Sequence, residues 1–203
     1  MEGQNRAEAE RVAEGCINDF LVLLNRTDWQ SLGERDGISG FQMNIDGRNT
    51  IKATGVIPFP AQAVCDYILD NSQKKNWDKM LIESKILHNF GDVRIVQESF
   101  SAPWPVSGRD FVFAVKWVDR GNDIVIVARS IEIGVPHQRG VVRGEVVTSG
   151  FLLRKLEDNN TEMTYSVCLD LKGMIPNMLV NQMAKNQVAN VYKIKRAMGN
   201  RGI

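Results

Sequence analysis

Apolar residues recur at helical spacing in three stretches of the chain, residues 6–25, 61–72 and 176–198. In each stretch the apolar positions share one face, the pattern of an amphipathic helix that packs on a core. Pro60 suits the first turn of the second helix, where a backbone N–H has no helical partner anyway. We therefore predict helices at the start, in the first half and at the end of the chain.

Between these stretches, short runs of apolar and β-branched residues are separated by turn residues. Asp36–Gly37 and Asp46–Gly47 divide residues 29–57 into three strands, and hairpins with such short turns are antiparallel. The order of helix, strands, helix, strands, helix has no βαβ rhythm, so the fold class is α+β with one long antiparallel sheet. Further strands are predicted at residues 84–88, 93–100, 109–118, 123–131, 141–147 with 151–156, and 163–169.

The run from residue 109 to 117 has the most informative alternation. Phe111, Phe113, Val115 and Trp117 fall on one face of this strand, which is therefore large and wholly apolar. We predict that this face lines an internal cavity.

The final helix also has a broad apolar stripe with one polar residue in it. The stripe contains Val180, Met183, Ala184, Val188, Val191, Ile194 and Met198, and Gln187 lies near its middle, whereas Lys185, Lys193 and Arg196 point away. A buried amide needs a partner, because leaving it unpaired costs roughly 1 to 3 kcal/mol. Gln187 either faces a ligand or cavity water, or bonds to a neighbouring strand.

Composition narrows the function classes. The 203 residues suit one domain, and the net charge of +1 gives no long-range field for nucleic acid. No apolar run approaches the roughly 20 residues of a membrane span. Cys16, Cys65 and Cys168 are widely spaced, which favours reduced buried thiols. We expect a soluble cytoplasmic monomer that binds no nucleic acid.

The residues for catalysis are mostly missing. The two histidines, His88 and His137, have no nearby nucleophile or carboxylate at the spacing of a triad, and without cysteine pairs they make a poor metal site. No glycine-rich phosphate loop is present. We therefore expect no catalytic residue, no metal and no cofactor, and the chain is predicted not to be an enzyme.

Four ordered segments resemble the StAR-related lipid-transfer (START) family. Residues 103–112, Pro-Trp-Pro-Val-Ser-Gly-Arg-Asp-Phe-Val, are similar to the most recognisable signature of that family, and residues 77–78, 142–145 with 149–151, and 170–176 agree with it in order. The resemblance spans nearly the whole chain. It implies a helix-grip fold, in which a long curved antiparallel sheet wraps around the C-terminal helix and encloses a hydrophobic tunnel, with residues 1–203 as one START-like lipid-binding domain.

The resemblance also implies where a lipid head would bind. Phosphatidylcholine-binding members hold the head with an arginine and an aspartate, and the matching positions here are Lys74 and Asp78. A lysine cannot form the bidentate fork of an arginine, although it can act as a point charge. The alternative is that Lys74 and Lys75 form an exposed basic helix end. Sterol-binding members carry a buried acid–arginine pair, and the matching positions are Val96 and Val115, so the resemblance favours a phospholipid over a sterol.

Four polar or amphipathic residues remain to be placed. Glu98 shares a strand face with Val96 and needs a partner if it is buried; Arg129 is one possibility, and water at a strand edge is the simpler one. Trp104 either packs inward, the simpler interpretation, or touches a membrane interface. Arg109 and Asp110 are expected to hold the proline-rich turn and a neighbouring strand.

The function that we predict is to bind one lipid and to carry it between membranes, with transient membrane contact, or to present it to a partner. The lipid-binding candidates are Lys74, Asp78, Val96, Glu98, Phe111, Phe113, Val115, Val180, Ala184, Gln187, Val188 and Val191. The tunnel is expected to open at residues 134–140 or at a hinge near residues 173–176. Two alternatives stay open: a helix-grip enzyme of the polyketide cyclase or aromatase type, and a lipid-sensing interaction module.

Overall fold

The computed structural model describes residues 2–200. The helices are α1 (Glu2–Leu24), α2 (Ala61–Leu69), α3 (Lys74–Trp77) and α4 (Asn177–Gly199). The strands are β1 (Gln30–Arg35), β2 (Ile38–Ile45), β3 (Arg48–Ile57), β4 (Leu81–Asn89), β5 (Val93–Phe100), β6 (Arg109–Asp119), β7 (Asp123–Ser130), β8 (Val142–Arg143), β9 (Glu145–Lys155) and β10 (Thr161–Asp170).

All ten strands form one sheet in the order β1-β2-β3-β10-β9-β7-β6-β5-β4, and β8 pairs with β6 beside this path. Every pair is antiparallel except β6 with the two-residue β8, which is parallel. The long sheet together with the C-terminal helix confirms the predicted α+β helix-grip fold.

Two predicted boundaries were wrong. The second helix ends at Leu69 because the Asp70 carboxylate accepts the N–H of Ser72, a local turn that competes with the helix, and α3 then forms a separate turn. The predicted break near Gly150 lies inside β9 instead. A Cβ at Gly150 would collide with the carbonyl oxygen of Ile126 on the neighbouring strand, so the glycine serves a close approach within the sheet.

The two faces of the sheet are covered by different helices. On β6, Val112 and Ala114 point to the outer face, where they pack with Ala9 and Ala13 of α1. Phe111 and Phe113 of the same strand point to the inner face, as the alternation predicts. Because α1 also contacts β5, β7 and β9, it covers the middle of the outer face.

Helix α4 covers the inner face, but it packs against the far side of the sheet, on β2 and β3. Val191, Ile194 and Met198 are fully buried there in one cluster with residues of α2 and β3. The approach is close at Gly40 of β2, where a Cβ would lie 2.9 Å from Cγ1 of Val188. The contact with β2 and β3 leaves space between α4 and β5, β6 and β9.

Candidate functional site

A cavity occupies the space between the inner face of the sheet and α4. Its volume is about 250 Å³, and about 1350 Å³ of empty space lies between its walls when the open mouth is included. The wall is mostly apolar, with polar groups contributed by α3, β5, β10 and α4. The principal lining residues are Phe111, Phe113, Val146, Phe151, Tyr165, Val167 and Leu169 from the sheet, and Leu179, Met183, Asn186, Gln187, Asn190 and Lys193 from α4.

Five of the predicted lipid-binding residues line this cavity: Asp78, Glu98, Phe111, Phe113 and Gln187. They come from the turn after α3, from β5 and β6 in the middle of the sheet, and from α4. The fold therefore brings together residues that are more than 100 positions apart in the chain.

The other predicted residues lie nearby but outside the lining. Val96 and Val115 border a separate pocket of about 60 Å³ together with Arg94 of β5. Val115 also packs against the cavity-side cluster of Val96, Phe111 and Phe113. Four of the predicted positions on α4 do not line the cavity. Ala184 and Val191 belong to the core cluster under β2 and β3, Val188 packs against that cluster, and Val180 is half-buried.

The polar end of the cavity is the part that contains Asp78, Gln187 and Lys193. Glu98 and Lys74 form a buried ion pair there. The side chain of Glu98 is 5% exposed and that of Lys74 is 20% exposed. Ser84 donates a second hydrogen bond to Oε1 of Glu98 at 2.9 Å. Both expectations for Glu98 were therefore wrong, because the side chain is buried rather than at a solvent-exposed strand edge, and its counter-charge is Lys74 rather than Arg129. Arg129 instead binds Asp19 of α1 at 2.7 Å.

The same pair changes the interpretation of Lys74. Its ammonium lies 5.7 Å from the ring centre of Phe113, and the residue itself does not line the cavity. The sequence suggested an exposed helix end as the alternative, but Lys74 lies in a one-turn helix with its charge turned toward Glu98. A buried carboxylate needs such a counter-charge, so Lys74 is held by Glu98.

Asp78 lines the cavity and has little compensation for its burial. The N–H of Met80 donates to its Oδ1 at 3.1 Å, and it forms no ion pair with any residue in the range 2–200. Burial raises the pKa of this carboxyl above 3.8, and the nearby charge of Lys193 opposes that rise.

Gln187 combines the two roles that its position in the stripe suggests. Its Oε1 accepts a hydrogen bond from the Tyr165 hydroxyl of β10 at 2.7 Å and a longer one from Asn190 at 3.4 Å. The residue also lines the cavity, and its amide nitrogen donates to no residue in the described chain. Burial raises the pKa of Tyr165, which keeps its hydroxyl protonated as the donor.

Lys193 was missed by the sequence analysis, which placed it on the face of α4 that points away. It lines the cavity, and its ammonium donates to Oδ1 of Asn190 at 3.3 Å. The cavity face of α4, with Leu179, Met183 and Asn190, is rotated by roughly a quarter turn from the stripe centred on Val180, given about 100° per residue. Polar residues next to an apolar stripe were the signal that could have identified this second face.

Arg109 holds the turn at residues 103–107 against the segment that leads into α4. Its guanidinium donates to the carbonyl oxygens of Ser107, of Leu171 at 3.1 Å and of Lys172 at 3.1 Å. Asp110, on the other face, accepts two hydrogen bonds from Arg143 at 2.9 and 2.8 Å. These contacts confirm the structural role that was expected for the two residues.

The mouth of the cavity carries exposed apolar side chains. Pro103, Ile175 and Leu179 line the cavity, and their chain neighbours Trp104, Met174 and Met178 are 92%, 98% and 77% exposed. Inward packing of Trp104 was therefore wrong. The loop at residues 134–140, one expected opening, contributes no lining residue, and its Val135 packs on the outer-face cluster near α1.

Other site types find little support among residues 2–200. No group of three or more His, Cys, Asp or Glu side chains there could hold a metal ion. No helix in that range has the length and apolar composition needed to cross a bilayer. The three cysteines are unpaired and buried, and burial raises the pKa of Cys16 to about 11.

The fold and the cavity together define a helix-grip domain with an internal, mostly apolar cavity. The sequence profile of the START domain matches residues 23–202, so the chain belongs to the START domain family. Over 193 residues it is 27% identical to the phosphatidylcholine transfer protein of Mus musculus, covering 91% of this chain and 89% of that protein.

A second relative is the steroidogenic acute regulatory protein of Xenopus laevis. It is 31% identical over 153 residues, which is 72% of this chain. The match spans about half of that relative, 54% of its length.

Solved structures show the same fold. Human StAR-related lipid transfer protein 5 superposes with a TM-score of 0.88 at 20% identity, covering 98% of this chain and 100% of that one. The Zhui aromatase/cyclase from a Streptomyces strain superposes with a TM-score of 0.55 at 12% identity, covering 77% and 96%. The architecture is therefore shared by proteins whose names indicate different functions, and the site has to decide between them.

Proposed function

We propose that this protein binds one lipid in the cavity between the sheet and α4 and carries it between membranes or presents it to a partner. The observation that carries this proposal is the apolar cavity itself, which is walled by Phe111, Phe113 and Phe151 and opens at one side. Membership of the START domain family and the phosphatidylcholine transfer protein among its relatives support it. We also propose that residues 1–203 form one lipid-binding domain and act as a monomer.

The energetics suit reversible carriage. Burying an acyl chain contributes roughly 0.8 kcal/mol per methylene, so an eighteen-carbon chain gains on the order of 14 kcal/mol relative to water. Relative to a bilayer the gain is near zero, because both environments are apolar. The lipid can therefore leave at a membrane, provided that the cavity opens there.

The ligand class that we propose is a phospholipid rather than a sterol. Val96 and Val115 occupy the positions at which the resemblance places the buried acid–arginine pair of sterol-binding members. The polar end of the cavity instead has Asp78, Gln187 and Lys193, which can bind a charged head. The cavity has to widen for a diacyl lipid, and Met183 of its helix wall is an adaptable residue for that purpose.

Membrane contact is proposed at the mouth of the cavity. Trp104, Met174 and Met178 are exposed there, and tryptophan is favoured at the level of lipid headgroups. Lys79 is also exposed and lines the mouth, where a cation suits an anionic membrane surface. A cytoplasmic location is proposed because the three buried thiols fit a reducing compartment.

An enzymatic role has one observation in its favour, since the cavity contains a carboxyl with a raised pKa at Asp78. Glu98 is already paired with Lys74, and neither His88 nor His137 lines the cavity. A cyclase would need a second acid or base directed at its substrate, whereas Lys193 and Tyr165 of the wall donate to the side-chain amides of Asn190 and Gln187. We therefore propose a carrier and not an enzyme, with a lipid-sensing module as the remaining alternative.

The test is to expose the purified protein to a mixed cellular lipid extract, re-purify it and analyse its organic extract by mass spectrometry. One enriched lipid per chain, with transfer between vesicles in the absence of other proteins, is the expected result. Enrichment equal to that of an unrelated control protein would overturn the proposal. Lipid binding without transfer would favour the sensing module.

A further inference from the structure

Of the charged side chains around the cavity, most already have protein partners. Glu98 is paired with Lys74, and Arg109 donates to three backbone carbonyls. Asp78 and Lys193 differ from them. Neither forms an ion pair with any residue in the range 2–200, and each has a single hydrogen bond to the protein. Lys79, a further lining cation, is exposed at the mouth and donates to the carbonyl oxygen of Lys75 at 3.2 Å.

These two groups have opposite charges and line the same cavity without meeting. Burial raises the pKa of Asp78, and the N–H of Met80 and the positive charge of Lys193 oppose that rise. The amide nitrogen of Gln187, one helical turn before Asn190, adds an unused donor to the same wall. The polar end of the cavity thus offers a cation, an anion and a neutral donor.

We infer that Lys193 is the residue that binds the phosphate of the ligand head, with Asp78 holding the ammonium group of the same head. This inference rests on the proposed function and names its ligand as a zwitterionic phospholipid. A head with both charges compensates Asp78 and Lys193 together, whereas a neutral hydroxyl head compensates neither. Lysine acts here as a point charge, so it needs no bidentate alignment.

Lys193 and not Lys74 is then the residue that binds the phosphate. The resemblance assigns that role to the position of Lys74, but the charge of Lys74 is already compensated by Glu98 in the structure. Moving Lys74 toward a ligand would leave a buried carboxylate unpaired, which is costly. Lys193 can bind an anion while giving up only one weak bond to Asn190.

The experiment measures lipid selection by variants. Native protein, Lys193→Gln and the control Lys185→Gln are each incubated with vesicles of equal parts phosphatidylcholine, diacylglycerol and cholesterol, then re-purified and extracted. Lys185 is exposed on the same helix and does not line the cavity. We expect Lys193→Gln to lower the phosphatidylcholine-to-diacylglycerol ratio about tenfold, the loss typical of one charge-assisted hydrogen bond, and Lys185→Gln to leave it unchanged.

A second variant separates the two charges of the head. With vesicles of equal parts phosphatidylcholine and phosphatidic acid, Asp78→Asn should lower the loading of phosphatidylcholine relative to phosphatidic acid, which has the phosphate but no ammonium group. An unchanged ratio in Lys193→Gln, or an equal loss of all three lipids, overturns the inference. Native protein that takes up only diacylglycerol or cholesterol overturns it too and leaves the carrier function standing. Folded native protein that takes up no lipid overturns both.

Discussion

Helices α1 and α4 are each 23 residues long, and they cover opposite faces of the same sheet with opposite results. On the outer face, α1 lies close to the strands because its inward residues include Ala9, Ala13 and Cys16, all fully buried. On the inner face, α4 is buried through Val191 and Ile194 near its C-terminal end and borders a cavity over much of its remaining length.

The difference shows why α1 packs tightly on the sheet whereas α4 borders a cavity. Helix α1 has one inward face of small and apolar residues, so a close-packed contact forms. Helix α4 has two adjoining faces, an apolar one on β2 and β3, and a mixed one with Gln187, Asn190 and Lys193. The side chains of this mixed face do not close-pack on β6, and the cavity lies between the helix and the strand.

The largest effect is expected from truncating a buried side chain of α1. Phe20 is fully buried against Val125 and Val127, so Phe20→Ala should lower the free energy of unfolding by about 3 to 5 kcal/mol. Met183→Ala on the cavity side of α4 should cost less than about 1 kcal/mol, because the side chain already borders empty space. Urea denaturation measures both. Equal losses would mean that the two faces are packed alike.

A smaller loss is expected from breaking the ion pair at the polar end of the cavity. Lys74→Met leaves Glu98 buried without a counter-charge, so the free energy of unfolding should fall by about 3 kcal/mol. The double variant Lys74→Met with Glu98→Leu should recover most of that loss, since no charge remains to be compensated. A double variant as unstable as the single one would show that Lys74 stabilises through packing alone.

Asp78 provides a pH-dependent contrast with the apolar contacts of α1. Burial raises its pKa from 3.8, so the folded protein keeps the proton to a higher pH than the unfolded chain does. The contribution of Asp78 to the stability of the folded protein is therefore most favourable below pH 3.8. Stability falls as the pH rises through the raised pKa of the folded protein. Asp78→Asn should exceed the native protein in stability at pH 7, with the advantage vanishing near pH 3. A constant advantage at both pH values would exclude titration as its cause.

The smallest effect on stability is expected at exposed apolar residues, where the two regions can be compared by function. Trp104→Ala at the mouth and Val22→Ala on α1 should each change stability by less than about 0.5 kcal/mol. Only Trp104→Ala should slow lipid transfer between vesicles, by roughly fivefold or more, through the lost burial of an indole in the membrane. Equal transfer rates for the two variants would argue against membrane contact at the mouth.

Local patterns in the sequence were sufficient for the fold class and for most elements, although they did not predict α3. The strand at residues 93–100 was predicted with its observed bounds, and the alternation at Phe111 and Phe113 correctly separates the two faces of β6. Such patterns depend on neighbouring residues alone. The family resemblance supplied the helix-grip arrangement of sheet and C-terminal helix, which no periodicity contains.

The partners of charged residues could not be predicted in the same way. Glu98 lies 24 positions from Lys74, and no local pattern specifies which cation meets a buried carboxylate. A helical projection of α4 shows an apolar stripe. It does not show that one face of the helix contacts the sheet and the adjoining face borders the cavity. For that reason Lys193 was assigned to solvent, although it lines the cavity.

The guanidinium of Arg109 has a consequence for the speed of exchange. It binds both the turn that carries Trp104 and the segment before α4, so the two borders of the mouth are fastened by one side chain. These bonds end on backbone carbonyls and not on a ligand, so they contribute alike to the empty and the filled protein. Weakening them should accelerate lipid entry and lipid exit by the same factor, and the dissociation constant should stay where it is.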